Sequence, residues 1–224
     1  MLALLFDVHG NLAALQAVLA DAEQAGAERF LLGGDHVAFG PEPEAVLARL
    51  DDLDATWIRG NADRWLGDAA DAPSPMDAAA RATAGAIGAE AAGRLAGLPA
   101  SARLDDDSVA WHASFRDDMT GFAPEAQDDE VGLIDPDARR MVVGHTHLQF
   151  LREAKDGTTI CNPGSVGVPL DGDPRAAWGL LRDSGTIELR RVPYDHVAAA
   201  ERLRSRFAGA WVDVVAARIA RARP

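Results

Sequence analysis

The chain has 224 residues, of which 48% are hydrophobic and 25% are charged, a composition typical of a globular protein with an ample core. Its 35 acidic residues outnumber its 22 basic ones and give a net charge of -13, which repels nucleic-acid phosphates and argues against general nucleic-acid binding. The single cysteine, Cys161, excludes an internal disulfide and a structural zinc site built from cysteine pairs.

The first residues carry neither the basic region nor the long apolar run of a signal peptide. No segment approaches the roughly 20 apolar residues of a membrane span. We therefore expect a cytoplasmic protein that does not bind a membrane. We also expect Cys161 to be a buried thiol rather than a nucleophile, because no base is evident for it.

The first third of the chain alternates short apolar runs with helical periodicity. Residues 2–6, 29–33 and 56–59 are apolar runs that predict buried strands. Apolar residues at helical spacing follow from Leu12 to Ala22, and a second helix is predicted from Pro41 to about Leu53. This alternation of strand and helix predicts an α/β fold with a parallel sheet.

The middle of the chain combines an Ala-rich stretch with a long acidic segment. Residues 66–100 are predicted to be helical, with a break at Pro73-Ser74-Pro75. Strands are predicted at 108–111 and 141–143. Between them, residues 115–137 are acidic and interrupted by glycine and proline, which favours a surface loop or lid.

The last part of the chain has strand-like runs at 158–161, 177–182 and 186–192. Gly-containing turn signals between such runs favour antiparallel pairing. From Tyr194 to the end the pattern is helical, with apolar residues that we assign to core packing rather than to a dimer interface. We predict one domain over residues 1–224, with a possible lid or specificity loop at 115–137.

Five of the predicted strands end in a polar cluster. In an open α/β sheet the carboxyl ends of the strands meet at one crevice, so clusters that are distant in sequence converge there. The side chains brought together are two carboxylates, one carboxamide and four imidazoles, namely Asp7, His9, Asp35, Asn61, His112, His145 and His147. A lone Asp-x-His is more often a solvated turn, but five clusters at strand ends favour a metal site.

Mixed imidazole and carboxylate ligands suit manganese, iron, cobalt, nickel or zinc better than calcium or magnesium. Seven ligands exceed what one tetrahedral ion uses. They fit two ions that lie about 3.5 to 4 Å apart and share one carboxylate. Two dications would also neutralise a substrate phosphate inside an acidic protein. They would lower the pKa of a bound water, so that hydroxide is available near neutral pH.

The motifs resemble those of the calcineurin-like metallophosphoesterases and follow that family's order over nearly the whole chain. The matching segments are Asp7-Val8-His9-Gly10-Asn11, Gly34-Asp35, Gly40-Pro41-x-Pro43, Gly60-Asn61-x-Asp63, His112, Gly144-His145-Thr146-His147 and Asn162-Pro163-Gly164-Ser165-Val166-Gly167. The pattern looks most like the small single-domain branch of bacteria and archaea, which includes phosphodiesterases and diadenosine-tetraphosphate hydrolases. The resemblance implies a four-layer α/β/β/α sandwich of two packed mixed sheets.

The resemblance also implies a role for each ligand. One metal would be held by Asp7, His9, Asp35 and His147, and the other by Asp35, Asn61, His112 and His145. Asp35 would bridge the two ions. Asn61 would ligate the second ion and help to hold a phosphate oxygen.

The sequence departs from the family's pattern at two places. Many relatives have a histidine that protonates the leaving oxygen where this chain has Ala62. Its absence favours substrates whose leaving groups need little protonation, since a general acid contributes about 10² to 10⁴ in rate. The second departure is His112-Ala113-Ser114-Phe115, where the branch usually has His-Gly-Ser-Pro.

Further candidates are weighed against simpler explanations. His36 could replace the missing general acid, or it could be a histidine hydrogen-bonded within a loop. Asn11, a candidate for substrate binding, and Asp63, which could support the ligands, could equally be turn or capping residues. Arg64 and Arg116 could bind a phosphate or a base, or they could form solvated ion pairs.

The sequence therefore predicts a dinuclear metal-dependent phosphoesterase in which a metal-bound hydroxide attacks phosphorus. Manganese is the first choice of metal, and iron, zinc, cobalt or nickel are alternatives. The expected substrate is a small phosphorylated molecule, preferably a nucleotide with a diester or phosphoanhydride bond, such as diadenosine tetraphosphate. The alternatives are a nonspecific phosphomonoesterase, a non-catalytic protein-interaction scaffold and a regulatory sensor that binds without turnover.

Overall fold

The computed structural model describes residues 1–224. Ten strands form two five-stranded sheets, and seven α-helices flank them. The strands are β1 (Leu2–Leu5), β2 (Arg29–Leu32), β3 (Ala55–Trp57), β4 (Ser101–Arg103), β5 (Ser108–Trp111), β6 (Arg140–Val142), β7 (Phe150–Glu153), β8 (Thr159–Asn162), β9 (Ala176–Leu181) and β10 (Ile187–Val192). The helices are α1 (Leu12–Gln24), α2 (Pro43–Asp51), α3 (Asn61–Gly67), α4 (Met76–Ile87), α5 (Ala89–Ala96), α6 (His196–Arg206) and α7 (Ala210–Arg221).

Both sheets are mixed. The first has the order β10-β9-β1-β2-β3, in which β1, β2 and β3 are parallel while β9 and β10 are antiparallel to their neighbours. The second has the order β4-β5-β6-β8-β7, with three parallel strands in the centre and an antiparallel strand at each edge. The α/β fold of two mixed sheets predicted from the sequence is confirmed.

The apolar run that begins the chain explains how the layers pack. Successive side chains of a strand point to opposite faces of the sheet. Leu4 and Phe6 pack in one cluster with Ala110 and Val142 of the second sheet. Leu5, on the other face of β1, belongs to the cluster formed with the helices. A strand covered on both faces must be apolar throughout, as this one is.

The outer face of the second sheet is covered by the acidic segment predicted as a loop. Its regular structure is limited to a short 3₁₀ turn at Glu130–Leu133. Phe122, Leu133 and Ile134 from this segment are buried against Met141 and neighbouring strand residues. The segment therefore contributes buried residues to the core and is not only a surface loop.

The structure adds elements that the periodicity did not predict. β4 has the sequence Ser-Ala-Arg and β7 the sequence Phe-Leu-Arg-Glu, so neither contains the continuous apolar run by which the central strands were predicted. The C-terminal helical region is divided by residues 207–209 into α6 and α7. Trp211 is 2% exposed and belongs to the core, in agreement with the packing role predicted for it. None of the helices combines the length and the apolar character that crossing a membrane requires.

Candidate active site

The polar clusters of five strands converge on one cavity. Asp7 and His9 follow β1, Asp35 follows β2, and Asn61 begins α3 just after β3. His112 directly follows β5, and the other two imidazoles follow β6. The cavity has a volume of about 170 Å³. It is lined by His9, Asp35, Asn61, His145, His147, Phe39, Trp65, Met76, Val168, Leu170, Val215 and Arg218.

At five positions of the site the backbone has a positive φ angle, which residues other than glycine rarely adopt. Positive φ angles occur at Asp7 (54°), His9 (48°), Asp35 (56°), His145 (65°) and His147 (59°). Each such residue costs about 1 to 3 kcal/mol and persists only where the surroundings enforce it. These positions need both the sharp turn and the functional side chain, so glycine cannot replace them.

Backbone carbonyls orient three of the imidazoles. His9 Nδ1 donates to the carbonyl of Ala38 at 3.0 Å, His112 Nδ1 donates to that of Gly33 at 2.9 Å, and His147 Nδ1 donates to that of Val168. Because a carbonyl only accepts, the proton of each neutral ring lies on Nδ1 and the lone pair lies on Nε2.

The imidazole lone pairs point toward one another. His9 Nε2 lies 3.2 Å from His147 Nε2, close enough for one ion at about 2.1 Å from each nitrogen to bind both. A metal-ligating histidine typically shows this arrangement, with one nitrogen held by a carbonyl and the other free to ligate.

Two buried carboxylates lie at the centre of the imidazoles. Asp7 Oδ1 is 3.4 Å from His147 Nε2 and 3.8 Å from His9 Nε2. Asp35 Oδ2 is 3.5 Å from His112 Nε2 and 3.8 Å from His9 Nε2. Asp7 Oδ1 is buried without a hydrogen-bond partner, which is costly unless a cation balances it. The residues present therefore fit a divalent metal centre.

The amide of Asn61 faces two imidazoles. Its Oδ1 lies 3.0 Å from His112 Nε2 and 2.9 Å from His145 Nδ1, the arrangement that a shared cation requires. If the amide turns over, its nitrogen instead donates to both rings and to the carbonyl of Asp118, while its oxygen accepts from Ala62. The same side chain thus offers a ligating and a hydrogen-bonding orientation.

The electrostatics of the carboxylates depend on the surrounding imidazoles. Burial by itself raises the pKa of Asp35, but His112 and His9 lower it below its ordinary value. Burial likewise raises the pKa of Asp7, and His147 reverses this effect, so that the net pKa is also lowered. Both groups are therefore anionic near neutral pH, and two buried negative charges attract cations.

The imidazoles divide into two groups. Burial by itself lowers the pKa of His112, but Asp35 and then Asp7 raise it to about 10. Burial by itself also lowers the pKa of His147, but Asp7, the Val168 carbonyl and Asp35 together raise it above its ordinary value. Burial dominates at His9 and His145 and lowers the pKa of both. The difference follows the distance of each ring from a carboxylate.

Asp63 organises the loops that present the ligands. Its carboxylate accepts hydrogen bonds from the backbone N–H groups of Asp35 (2.8 Å), His36 (3.1 Å) and Gly60 (2.9 Å). Asp63 is fully buried, and these bonds join the loop after β2 to the turn that begins α3. Asp63 therefore fixes the backbone beside Asp35 and Asn61.

The turn at residues 162–165 forms hydrogen bonds with the loops that carry Asp7 and His145. Asn162 Nδ2 donates to the carbonyl of Gly144 at 2.9 Å and to Thr146 Oγ1 at 3.0 Å. Ser165 Oγ donates to the carbonyl of Asp7 at 2.8 Å. Cys161, beside this turn, is buried, and burial raises the pKa of its thiol to about 12.

Two candidates from the sequence are placed outside the cavity. Asn11 caps α1 by accepting from Ala14 N–H at 3.2 Å, and its amide donates to the carbonyl of Gly167 at 2.9 Å. His36 is buried, packs its ring 4.8 Å from that of Trp57, and lies 2.9 Å from the Asp63 carboxylate. Asn11 thus occupies a helix-capping position, while both ring nitrogens of His36 are buried without a hydrogen-bond partner and its ring lies outside the cavity.

The two arginines singled out from the sequence also lie outside the cavity. Arg64 donates two hydrogen bonds to Asp118, at 2.7 and 2.9 Å, and one to Asp71 at 3.2 Å. Arg116 is exposed and lines a separate cavity together with Trp111 and His112. Arg64 is therefore committed to ion pairs. By contrast, Arg218 and Trp65 line the metal-site cavity, although no sequence motif marks them.

The fold and this buried cluster of aspartate and histidine define a metal-dependent phosphoesterase. The family model of the calcineurin-like phosphoesterase superfamily domain matches residues 1–182. The chain therefore belongs to the calcineurin-like phosphoesterase superfamily, and it is a phosphoester-hydrolysing enzyme. Membership implies divalent metal ions and small phosphoester substrates.

The relatives extend the similarity over almost the entire chain. An uncharacterised protein of Methanocaldococcus jannaschii is 30% identical over 226 aligned positions, which cover 91% of each chain. A metallophosphoesterase from Sphaerobacter thermophilus superposes with a TM-score of 0.78 at 25% identity, covering 97% of this chain and 98% of that one. A hypothetical protein of Pyrococcus horikoshii OT3 has a TM-score of 0.82 at 19% identity, covering 96% and 98%, and supports the fold.

Proposed function

We propose that this enzyme is a dinuclear phosphodiesterase or nucleotide phosphoanhydride hydrolase. The observation that carries the proposal is the convergence of seven donor side chains from five strand ends on one space. Those donors are Asp7, His9, Asp35, Asn61, His112, His145 and His147. A non-catalytic scaffold would not need this complete set, nor the five strained backbone positions that present it.

The geometry supports two overlapping ligand groups. One contains Asp7, His9 and His147, and the other contains Asp7, Asp35 and His112, with the ligand atoms of each group within 4.8 Å of one another. Asp35 lies near both groups, which supports its proposed role as the bridge, and Asp7 Oδ1 lies close to both as well.

Two divalent ions bound there would neutralise the phosphoryl oxygens and lower the pKa of a water molecule for attack. The mixed nitrogen and oxygen set leads us to propose manganese, with iron, zinc, cobalt and nickel as alternatives. The chain's own contribution is to fix the imidazoles through backbone carbonyls and to keep both carboxylates ionised. These contacts hold the ligands in place before a substrate arrives.

The preference for diesters and anhydrides rests on the absence of an evident proton donor for the leaving group. Ala62 is fully buried and contributes only its N–H, which donates to Asp35 Oδ1 at 2.8 Å. His36 does not line the cavity and lies 2.9 Å from the Asp63 carboxylate, which favours a proposal without a proton donor in place of a histidine at position 62. Leaving groups of low pKa depart without protonation, and the phosphate chains of small nucleotides provide such groups. A structural relative at 19% identity is described as a candidate diadenosine tetraphosphatase.

We further propose that residues 1–224 form one domain and that residues 115–137 contribute to specificity as a lid. The pairing of β9 with β1 joins the two halves of the chain in one sheet and supports a single domain. The carbonyl of Asp118 lies 3.2 Å from the amide of Asn61, and Arg64 holds the side chain of Asp118. The acidic segment therefore reaches the edge of the ligand cluster.

The test is a substrate panel with the manganese-loaded protein. We expect kcat/KM for bis-p-nitrophenyl phosphate and dinucleoside polyphosphates to exceed that for p-nitrophenyl phosphate. Within a series of aryl diesters, the rate should rise steeply as the pKa of the leaving phenol falls, because no general acid assists its departure. Asp35→Asn should reduce kcat by at least about 10³-fold, while Asp106→Asn, an exposed carboxylate far along the chain, should have no effect.

Each alternative has its own signature in this panel. A higher kcat/KM for p-nitrophenyl phosphate than for every diester would support the phosphomonoesterase instead. Tight binding of a nucleotide without product release would support a sensor. A protein that takes up no manganese and hydrolyses none of the substrates would contradict the proposal.

A further inference from the structure

The C-terminal helix contributes a positively charged side chain to the metal-site cavity. Arg218 of α7 lines the cavity together with His9, Asp35 and His147. It lies beyond residues 1–182, the part of the chain that the family model matches. The contribution of α7 to the site is therefore separate from the motifs that identify the superfamily.

Arg218 differs from most arginines of this acidic chain. Twelve other arginines lie within ion-pair distance of a carboxylate. Arg218 has no such partner, and its Nε is buried without a hydrogen-bond acceptor. A buried N–H that finds no acceptor costs about 1 to 3 kcal/mol in general, and an acceptor that enters the cavity would remove this cost.

A second donor of the same cavity is also without an acceptor. Trp65 is only 4% exposed, and its indole Nε1 is buried with no hydrogen-bond partner. The indole groups of Trp111 and Trp178, by contrast, donate to Asp135 at 3.2 Å and to Asp21 at 3.0 Å. Two unpartnered donors, one of them cationic, thus line the cavity that contains the candidate metal ligands.

The helix that carries Arg218 is fixed to the loop that carries part of the site. Gly172 N–H donates to the carbonyl of Ala222 at 2.8 Å, just after α7 ends. The same loop supplies the carbonyl of Val168 to His147, and Leu170 N–H donates to the carbonyl of His147 at 3.2 Å. Val215 of α7 is itself buried in the cavity wall. The guanidinium is therefore presented from an anchored helix.

We propose that Arg218 and Trp65 bind a phosphoryl oxygen of the substrate in the cavity that they line together with the metal ligands. This inference rests on the proposed function, which supplies the phosphoryl group. A guanidinium and an indole N–H both donate and cannot accept, so an oxyanion matches them. The apolar side chains around them, Phe39, Met76, Leu170 and Val215, exclude water and strengthen the attraction.

A positive charge in the cavity would also help this acidic protein to bind an anionic substrate. The net charge of -13 repels an anionic substrate, and the chain has a single lysine. Metal ions held by the ligand set would supply positive charge to a bound phosphoryl group. Arg218 would add a further positive charge from a region of the chain where no ligand motif occurs.

The test compares Arg218→Gln and Arg218→Lys with Arg221→Gln as the matched control. Arg221 is exposed on the last turn of the same helix, so the control removes the same charge without altering the cavity. For Arg218→Gln we expect the Kd of inorganic phosphate for the manganese-loaded protein, measured by calorimetry, to rise about 10- to 100-fold. The KM for bis-p-nitrophenyl phosphate should rise more than kcat falls. Arg218→Lys should recover part of this loss, because it keeps the charge and loses the planar fork.

The indole is tested by Trp65→Phe, which removes the N–H and keeps an aromatic ring. We expect the Kd of inorganic phosphate to rise about tenfold. The affinity for Mn²⁺ should not weaken in any of these variants, because none removes a ligand. Circular dichroism establishes which variants are folded, and Arg218→Lys provides the comparison if Arg218→Gln does not fold.

The outcomes separate this inference from the proposed function. If folded Arg218 variants bind phosphate as tightly as the wild type and keep its KM, the assignment is overturned. If Arg221→Gln loses as much as Arg218→Gln, the effect is general charge and the assignment also fails. If the wild-type protein binds Mn²⁺ and phosphate but hydrolyses no ester, the proposed function fails, while the phosphate measurements still decide the role of Arg218.

Discussion

Individual side chains at this site are held by backbone groups more than by one another. Three imidazoles donate to carbonyls, and Asp63 accepts from three N–H groups of two different loops. Such contacts fix the direction of each ligand atom before any ion is bound. The chemistry of metal ligation determines which residue types occur at these positions. The backbone contacts determine the direction in which each ligand atom points.

The first prediction concerns Asp63. Replacing it by alanine leaves the N–H groups of Asp35, His36 and Gly60 without their acceptor in a buried region. We expect Asp63→Ala to lower the free energy of unfolding by about 3 kcal/mol and to weaken manganese binding. Urea denaturation and calorimetry measure the two effects. Asp106→Ala, at an exposed position, should change stability by less than about 0.5 kcal/mol.

A loss as small as that of the Asp106 control would show that Asp63 is merely a solvated turn residue. An unchanged affinity for manganese in a destabilised Asp63→Ala protein would restrict Asp63 to a structural role.

At the scale of elements, the loops after the strands are packed as closely as the core. A Cβ on Gly167 would lie 2.0 Å from the carbonyl oxygen of Val8, which stands between Asp7 and His9. Gly167 N–H also donates to the carbonyl of Asp7 at 3.0 Å. The turn after β8 thus touches the loop after β1, so two strands of different sheets share one packed junction.

The second prediction compares two glycine substitutions. Gly167→Ala forces its Cβ into the Val8 carbonyl, and we expect a loss of about 2 to 3 kcal/mol in stability together with weaker metal binding. Gly85 lies within α4, and a Cβ there would meet no atom within 4 Å. Gly85→Ala should therefore stabilise the protein by about 0.5 to 1 kcal/mol, because alanine favours the helix. Thermal and urea denaturation of both variants measure the difference, and equal effects of the two changes would contradict the close packing described at Gly167.

At the scale of the whole molecule, the site gathers buried carboxylates within a chain whose net charge is already -13. Bringing these carboxylates together without cations opposes folding through repulsion and desolvation. The ligands come from the ends of strands in both sheets. Metal binding should therefore stabilise the fold as a whole and not only one loop.

The third prediction follows from this linkage. At a free Mn²⁺ concentration of 100 times Kd, we expect the unfolding free energy to rise by about 2.7 kcal/mol, and chelation by EDTA should reverse it. At one constant free Mn²⁺ concentration the gain should be smaller at pH 5.5 than at pH 7.5, because protons compete with the metal for the imidazoles and raise its Kd. Differential scanning calorimetry with and without metal measures the gain. Asp35→Asn provides the control, and an equal metal-induced shift in that variant would place the stabilising ion elsewhere.

Much of the fold was predictable because its signals are local. The strands from Leu2, Arg29 and Ser108 are apolar runs that end in polar turns, and both the strand and its end can be recognised from neighbouring residues. β4 and β7 were not predicted because charged residues interrupt them, and neither has the apolar run that marks a strand buried on both faces. The division of the C-terminal helices likewise depends on how each one packs against the core.

By itself, the sequence determined the residue types of the metal centre and the strand ends that carry them, because ligand chemistry restricts which side chains can occur there. Only the tertiary structure decided which other groups reach the same cavity. Arg64 follows a ligand motif but is bound to Asp118, whereas Arg218, from the last helix, lines the cavity. Proximity between segments that are distant in sequence arises from the packing of whole elements, and no local pattern encodes it.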